Sequence, residues 1–378
     1  MSNPKLLAVF PSYHSAGYGS PIGGGEISNR LLLEGLADRG WDVIVVTANS
    51  DIVGEANGVK VKRVMKSKNS FMSVFFRQFF LKRESCRIAK RFNPDVVVCG
   101  PTALRIAREV SARFGVRCGL IVRAFENFEF LSESSSPHLS LKLRVVKMLL
   151  GNYQAVDNQP DFCVFNSQYM RDIIEPHIKG RGYVVYPSVD VDVKSRLLTE
   201  IKRVHMVGLS YEKGFKILKG LADYFPNINF SVYGKKSGQI FEDGLPVNVI
   251  YKGWASLNEI YGGCDVFIVP SQIEEAFGRV AIEALSFGCI VLVSDKGGLP
   301  ETVDYDPELI LDNGDIGGWC AAISSVSSDI ESYSYRARLA AKKITRFGID
   351  CQLVEFEKAL LNEIALGMTI RCEGGSTR

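Results

Sequence analysis

The sequence predicts two consecutive α/β domains, each a doubly wound parallel sheet with helices on both faces. Three observations lead there. Short β-branched and apolar runs recur along the whole chain, they are continuous rather than alternating, and stretches of helical periodicity separate them. A strand exposed on one face alternates, whereas a strand covered on both faces reads as an unbroken apolar run. At 378 residues the chain holds two to three domains of roughly 150 residues each. Halves of that size bury enough surface to fold without staples.

The first half carries strand runs at 6–10, 43–47, 96–99, 119–122 and 163–166. The second repeats the theme at 203–207, 229–233, 247–251, 266–269 and 290–294. Amphipathic helices are expected between them, among them 26–39 and 278–287. The boundary falls at Tyr186-Pro187-Ser188-Val189-Asp190, where a strand ends in proline and the next clear strand starts near Arg203. That sets domains at 1–188 and 189–348. There is no internal repeat, and the tail at 373–378 reads as frayed.

Composition narrows the class. Apolar residues make up 46% and charged residues 23%, which excludes a disordered, collagen-like or coiled-coil chain. The net charge of +3 does not call for nucleic acid. Nine scattered cysteines without a C-x-x-C pair argue against a zinc site or a disulfide framework and for a reducing compartment. The first apolar run is too short for a signal-peptide core, and no apolar stretch of about eighteen residues escapes a charge. A cytoplasmic protein is expected.

One segment departs from the average. Residues 60–92 hold eleven Lys and Arg against the single Glu84, interleaved with Phe71, Met72, Val74, Phe75, Phe76, Phe79, Phe80 and Leu81. Such a segment suits the headgroup region of an anionic bilayer. A core-packing helix with a solvated basic face is the plainer alternative.

The chemistry concentrates at 270–284. The stretch follows the strand at 266–269, at the carboxyl end where open α/β sheets bind ligands. A helix opening at Gly278 offers first-turn amides and a dipole that favours an anion such as pyrophosphate. Glu275 stands ahead of this helix and Glu283 inside it. Eight residues are about 2.2 turns, so the two carboxylates are expected along one side, one for a sugar and one for a ribose diol. Gly23, Gly24 and Gly25 are expected to adopt positive φ and let the backbone approach a phosphate or an acceptor. Two D-x-D patterns, Asp190-Val191-Asp192 and Asp304-Tyr305-Asp306, sit at the hinge and in a loop, so no metal site is expected. His14, His138, His177 and His205 share no ligand spacing.

Glu275-x7-Glu283, followed by Ala284, Gly288 and Gly297-Gly298-Leu299-Pro300-Glu301, resembles the signature of the retaining glycosyltransferases of family 4, which have the GT-B fold. Pro21-Ile22-Gly23-Gly24-Gly25-Glu26, Gly40-Trp41-Asp42-Val43, Asn93-Pro94-Asp95-Val96, Asn166-Ser167, Pro187-Ser188-Val189-Asp190 and Glu212-Lys213-Gly214 carry the likeness over most of the chain. The resemblance implies two Rossmann-like domains facing across a cleft, with a C-terminal helix at 349–378 packing back on the first. It further implies transfer of a hexose or hexosamine from a nucleoside-diphosphate sugar to a glycan hydroxyl with retention of configuration. A UDP-sugar is favoured, with GDP-mannose as the other candidate, and the acceptor is expected to be lipid-linked, in cell-surface polysaccharide or glycoconjugate synthesis. No cofactor is implied.

In that reading Glu275 and Lys213 are catalytic. Gly24, Gly25, Gly208, Ala276, Phe277, Gly278, Arg279 and Glu283 bind the donor, and Arg123 and Glu126 lie on the acceptor side. The sequence departs from the family at two points. Leu209 follows Gly208 where many members have an arginine, which leaves Arg279 as the second phosphate cation. Arg123 replaces a common histidine, which suits an anionic acceptor or a structural role alike. Peripheral attachment to the inner face of the cytoplasmic membrane follows from the basic segment. Two alternatives remain: a nucleotide-sugar 2-epimerase of the same fold, and a non-catalytic sugar-nucleotide or membrane-binding module.

Overall fold

A computed structural model describes residues 3–15, 23–52, 54–64, 71–124, 159–189, 193–194, 196–237 and 244–374. The chain divides into two compact units. One holds the described residues before Pro187 together with those from Gln352 onward, and the other spans Pro187–Cys351.

In the first unit the order is β1 (Lys5–Ser12), α1 (Gly24–Asp38), β2 (Asp42–Asn49), β3 (Gly54–Ala56), β4 (Val59–Arg63), α2 (Phe71–Phe92), β5 (Val96–Cys99), α3 (Leu104–Phe114), β6 (Arg117–Val122), β7 (Phe162–Phe165), α4 (Gln168–Ile174) and β8 (Arg181–Val184). The sheet runs β3-β4-β2-β1-β5-β6-β7-β8. Its pairs are parallel except β3 with β4. Leu7 pairs with Ile44 on one side and Val97 on the other, and all of Leu6–Val9 is fully buried. The unbroken apolar runs are thus strands covered on both faces.

The basic run at 60–92 is not one segment. Its start lies in β4, where Val59 and Val61 are buried and Lys60 and Lys62 exposed, and its end is helix α2. The β3–β4 hairpin turns through Asn57 and Gly58, both at positive φ (47° and 73°), the backbone that an Asn-Gly turn supplies. The same correction reaches the glycine loop. Gly23 lies at φ −65° and Gly24 and Gly25 are already helical, so none of the three takes the positive φ expected of it. What Gly25 provides is room: a Cβ there would sit 3.0 Å from Cβ of Arg123.

The second unit is β9 (Arg203–Leu209), α5 (Phe215–Tyr224), β10 (Asn229–Lys236), β11 (Val249–Gly253), α6 (Leu257–Tyr261), β12 (Val266–Val269), α7 (Arg279–Ser286), β13 (Ile290–Ser294), α8 (Leu299–Thr302), β14 (Ile310–Leu311), α9 (Ile316–Ser328) and α10 (Ile330–Lys343). Its sheet, β11-β10-β9-β12-β13-β14, is parallel throughout. Strand β11 starts two residues later than the run at 247–251 suggested, because Pro246 and a turn precede it.

Helix α11 (Ile349–Gly374) brings the chain back to the first unit. A Cβ at Gly35 of α1 would meet Leu353 at 2.7 Å, so the two helices close only over glycine. Glu357 accepts from Trp41 Nε1 and Arg39 Nη1, each at 2.8 Å. Glu363 is fully buried and accepts from Arg117 Nε at 2.8 Å and Nη2 at 2.5 Å, and from the Tyr183 hydroxyl at 2.9 Å. Burial, and then Glu363 itself, push the Tyr183 hydroxyl above its ordinary pKa. Removing this carboxylate strands a half-buried guanidinium and a phenol. Glu363→Ala is therefore expected to lower stability by about 2–4 kcal/mol in urea unfolding, and Glu363→Gln by less. An unchanged midpoint for both would show that α11 is held elsewhere.

Candidate active site

Strands β9 and β12 are hydrogen-bonded neighbours running in the same direction, so the loops leaving their carboxyl ends emerge side by side. The loop after β9 carries Ser210-Tyr211-Glu212-Lys213-Gly214, and the loop after β12 carries Pro270 to Gly278. They are stitched together by Gln272 N–H donating to Glu212 O at 2.8 Å. Across this seam the Lys213 ammonium pairs with Glu275 Oε1. The hydroxyl of buried Ser271 donates to the same oxygen at 2.6 Å. Lys213 is about two-fifths exposed and Glu275 about one-fifth, at 40% and 18%, so the pair faces solvent with its carboxylate anchored from below. Glu212, on the rim, has its carboxyl held below the ordinary range by its own backbone amide and the Ser210 hydroxyl.

Two glycines make this arrangement sterically possible. Gly214 sits at φ +91°, where a Cβ would lie 2.1 Å from Pro270 O. Gly297 sits at φ +64°, and its Cβ would lie 2.1 Å from Glu275 O and 2.5 Å from Glu275 N. Gly298 N–H donates to that same Glu275 carbonyl at 2.8 Å. Glu275 thus rests its backbone on a surface with no side chains, and its carboxylate is aimed outward. A Cβ at Gly208 would lie 3.0 Å from Lys213 Cγ, so this glycine leaves the lysine stem its seat.

Helix α7 begins only at Arg279, with Gly278 as a left-handed cap at φ +119°. Glu275 therefore stands off the helix, and the eight residues to Glu283 do not trace a single helical side. Of the first-turn amides of α7, that of Ala281 donates to Gly278 O at 3.0 Å; the first amides of an α-helix generally lack acceptors within the helix itself. Phe277 buries its ring edge-on against Phe347, 5.1 Å between centroids. Glu283 is 7% exposed. It accepts from the Tyr261 hydroxyl at 2.8 Å and from Arg279 Nη2 at 3.2 Å. Burial, followed by the Glu283 charge, raises the Tyr261 hydroxyl well above its ordinary range.

The structure brings together Lys213, Gly208, Glu275, Ala276, Phe277, Gly278, Arg279 and Glu283 within the second unit. Gly24, Gly25 and Arg123 belong to the first, and Glu126 lies outside the described residues. Arg123 donates from Nε to Asn29 Oδ1 at 3.0 Å and from Nη1 to Val185 O at 2.9 Å, tying α1 to the chain beyond β8. Ser271 and Tyr261 were not foreseen. Ser271 lies inside the motif-bearing stretch without a pattern of its own, and Tyr261 lies 22 residues from Glu283. The D-x-D carboxylates at 304 and 306 turn to cations: Asp304 to Lys343 and Arg346, Asp306 to Arg336. Asp190 and Asp192 lie outside the described residues. His205 is buried, its pKa lowered by that burial, and its Nδ1 donates to Ile260 O at 2.6 Å.

A fixed carboxylate beside an ammonium and a helix N-terminus can bind a ligand that offers hydroxyls at one end and phosphates at the other. Comparison with known proteins agrees in kind. The chain matches the family described as Glycosyltransferase Family 4 over residues 22–193 and that described as Glycosyl transferases group 1 over 194–343. It is 24% identical over 332 residues to an uncharacterised 42.6 kDa protein in the cps region of Klebsiella pneumoniae, covering 75% of this chain and 84% of that one. It is 25% identical over 384 residues to the sulfoquinovosyl transferase SQD2 of Arabidopsis thaliana, covering 92% and 71%. Among solved structures, HepE of Anabaena in complex with UDP-glucose superposes with a TM-score of 0.67 at 18% identity, over 95% of this chain and 99% of that one. The two parallel-sheet units are those of the GT-B fold.

The glycine backing of Glu275 can be tested without a substrate. Gly253 has nearly the same φ as Gly297, +67°, but nothing within 4 Å of its would-be Cβ. Gly253→Ala is expected to cost about 1–2 kcal/mol, the left-handed penalty alone. Gly297→Ala is expected to cost ~1–3 kcal/mol more, because backbone must move. Equal costs in chemical unfolding would refute the close-packing role.

Proposed function

The chain belongs to glycosyltransferase family 4, of the group 1 type, and we propose that it is a retaining enzyme acting on a nucleoside-diphosphate sugar. It moves a hexose or hexosamine to a glycan hydroxyl in cell-surface polysaccharide or glycoconjugate synthesis, with a lipid-linked acceptor. The observation that carries this reading is the Lys213–Glu275 pair, made across two loops at the carboxyl ends of β9 and β12. The bound UDP-glucose of HepE supports UDP as the nucleotide.

The roles follow from chemistry. Transfer breaks the bond from the anomeric carbon to the phosphate oxygen and forms one to the acceptor oxygen. Positive charge develops on the sugar and negative charge on the departing diphosphate. Lys213 neutralises the diphosphate once the donor displaces it from Glu275. Arg279, held by Glu283, and the amides of Ala276, Phe277 and Gly278 at the head of α7 add to that stabilisation, which needs no metal. Glu275, kept in place by Ser271, accepts hydrogen bonds from the sugar hydroxyls. Glu283 has two acceptor positions taken and others left for the ribose diol. Gly208 leaves the donor room beside Lys213. Gly24 and Gly25 keep the donor role, and Arg123 and Glu126 the acceptor role, that the family likeness implies for them. Substitution proceeds on the front side, with the leaving phosphate taking the acceptor's proton, and retention follows.

Three assays decide. Glu275→Gln and Lys213→Met are each expected to lower kcat at least a hundredfold with unchanged unfolding midpoints. Survival of near wild-type turnover in both would remove the pair from the chemistry. Wild-type activity is expected to persist in excess chelator, and an absolute manganese requirement would overturn the metal-free reading. Consumption of the donor without acceptor, giving an epimerised sugar nucleotide, would replace transfer by epimerisation.

A further inference from the structure

Helix α2 has a second face that the transfer reaction does not use. Leu81, Ser85 and Ala89, four residues apart, are buried and pin the helix to the first unit. On the opposite side Phe79, Lys82, Arg83, Cys86, Arg87 and Lys90 recur at helical spacing. Together with Arg113 of α3 they line a groove of about 430 Å³. Five of those seven residues are cations, and none is an acid. Two are partly neutralised from the rim, Lys82 by Glu109 at 2.6 Å and Arg87 by Glu84 at 2.5 Å. Arg83, Lys90 and Arg113 form no ion pair with a described carboxylate. At the same end, Phe79 and Phe80 are 52% and 38% exposed, packed edge to face on each other at 5.5 Å.

We infer that this groove is a docking surface for an anionic phospholipid bilayer. Charge complementarity selects an anion, and the two phenyl rings select its form. A soluble phosphate has no use for exposed aromatic surface, whereas a headgroup layer accepts rings at the acyl boundary while its phosphates meet the cations. No helix among the described residues is long and apolar enough to cross a membrane, so the contact is with the surface of the bilayer. The groove belongs to the first unit and Lys213 and Glu275 to the second, and its test reads partition rather than turnover.

The full chain is mixed with vesicles of phosphatidylcholine alone, and of phosphatidylcholine with phosphatidylglycerol, and sedimented. Binding is expected only to the second, and is expected to weaken as salt rises. Each basic residue near such a surface is worth about 1 kcal/mol, roughly fivefold in partition. Changing Arg83, Lys90 and Arg113 together to Gln should thus lower partition about a hundredfold. The charge-preserving R83K/K90R/R113K variant should bind as wild type, and F79S/F80S should bind less at every salt concentration. Unfolding midpoints check that each variant is folded. Equal binding to both vesicles, no binding to either, or a triple Gln variant that binds like wild type would overturn the inference. So would capture of an RNA oligonucleotide, lost in the triple variant, without vesicle binding.

Discussion

The chemistry proposed for the second unit depends on one ion pair that is held but not buried. Lys213 and Glu275 come from loops 62 residues apart, and only the parallel adjacency of β9 and β12 makes them neighbours. A pair left two-fifths exposed on its lysine side contributes little to stability. In the proposed transfer its value lies in exchange, because the lysine can leave the carboxylate for a phosphate at small cost. The carboxylate stays where it is, because Ser271 donates to it from below and Gly297 and Gly298 grip its backbone.

The other carboxylates of the molecule show the contrast. Asp265, at the amino end of β12, is 3% exposed and accepts from Arg203 Nη2 at 3.0 Å and from the amides of Lys202 and Arg203 at 3.1 and 3.0 Å. Glu363 is likewise saturated by Arg117 and Tyr183. Both are buried, both are closed by donors, and removing either partner strands a charge. They fasten strand starts and a helix. The carboxyl ends of the second sheet carry the half-satisfied groups, which is where an open α/β sheet binds its ligands.

The apolar runs made most of the sheet legible, since period and composition are set by burial on two faces. What escaped were short or one-sided elements: β4 alternates Val with Lys, and β14 is two residues long. The Asn57-Gly58 pair was a local signal for the β3–β4 hairpin. Glu275, Lys213 and the glycines after β13 were readable as a pattern, but their reasons were not. Gly23–Gly25 have no left-handed backbone, whereas Gly297 has one and needs it. Spacing along a chain says nothing of what a missing Cβ would strike. Nor could it show that Glu283 is buried against Tyr261, a contact that exists only once α6 and α7 pack.

Helix α2 joins the same logic to a different surface. A helix that is apolar on one stripe and basic on the other satisfies the core through Leu81, Ser85 and Ala89, and the plain reading of the basic run is correct that far. It does not account for Phe79 and Phe80. Packing alone would turn large apolar rings inward, and solvation alone would replace them with polar residues. Two exposed rings beside three cations that pair with no described carboxylate answer to neither demand. An interface that is apolar at one depth and anionic at another satisfies both on the same helical face.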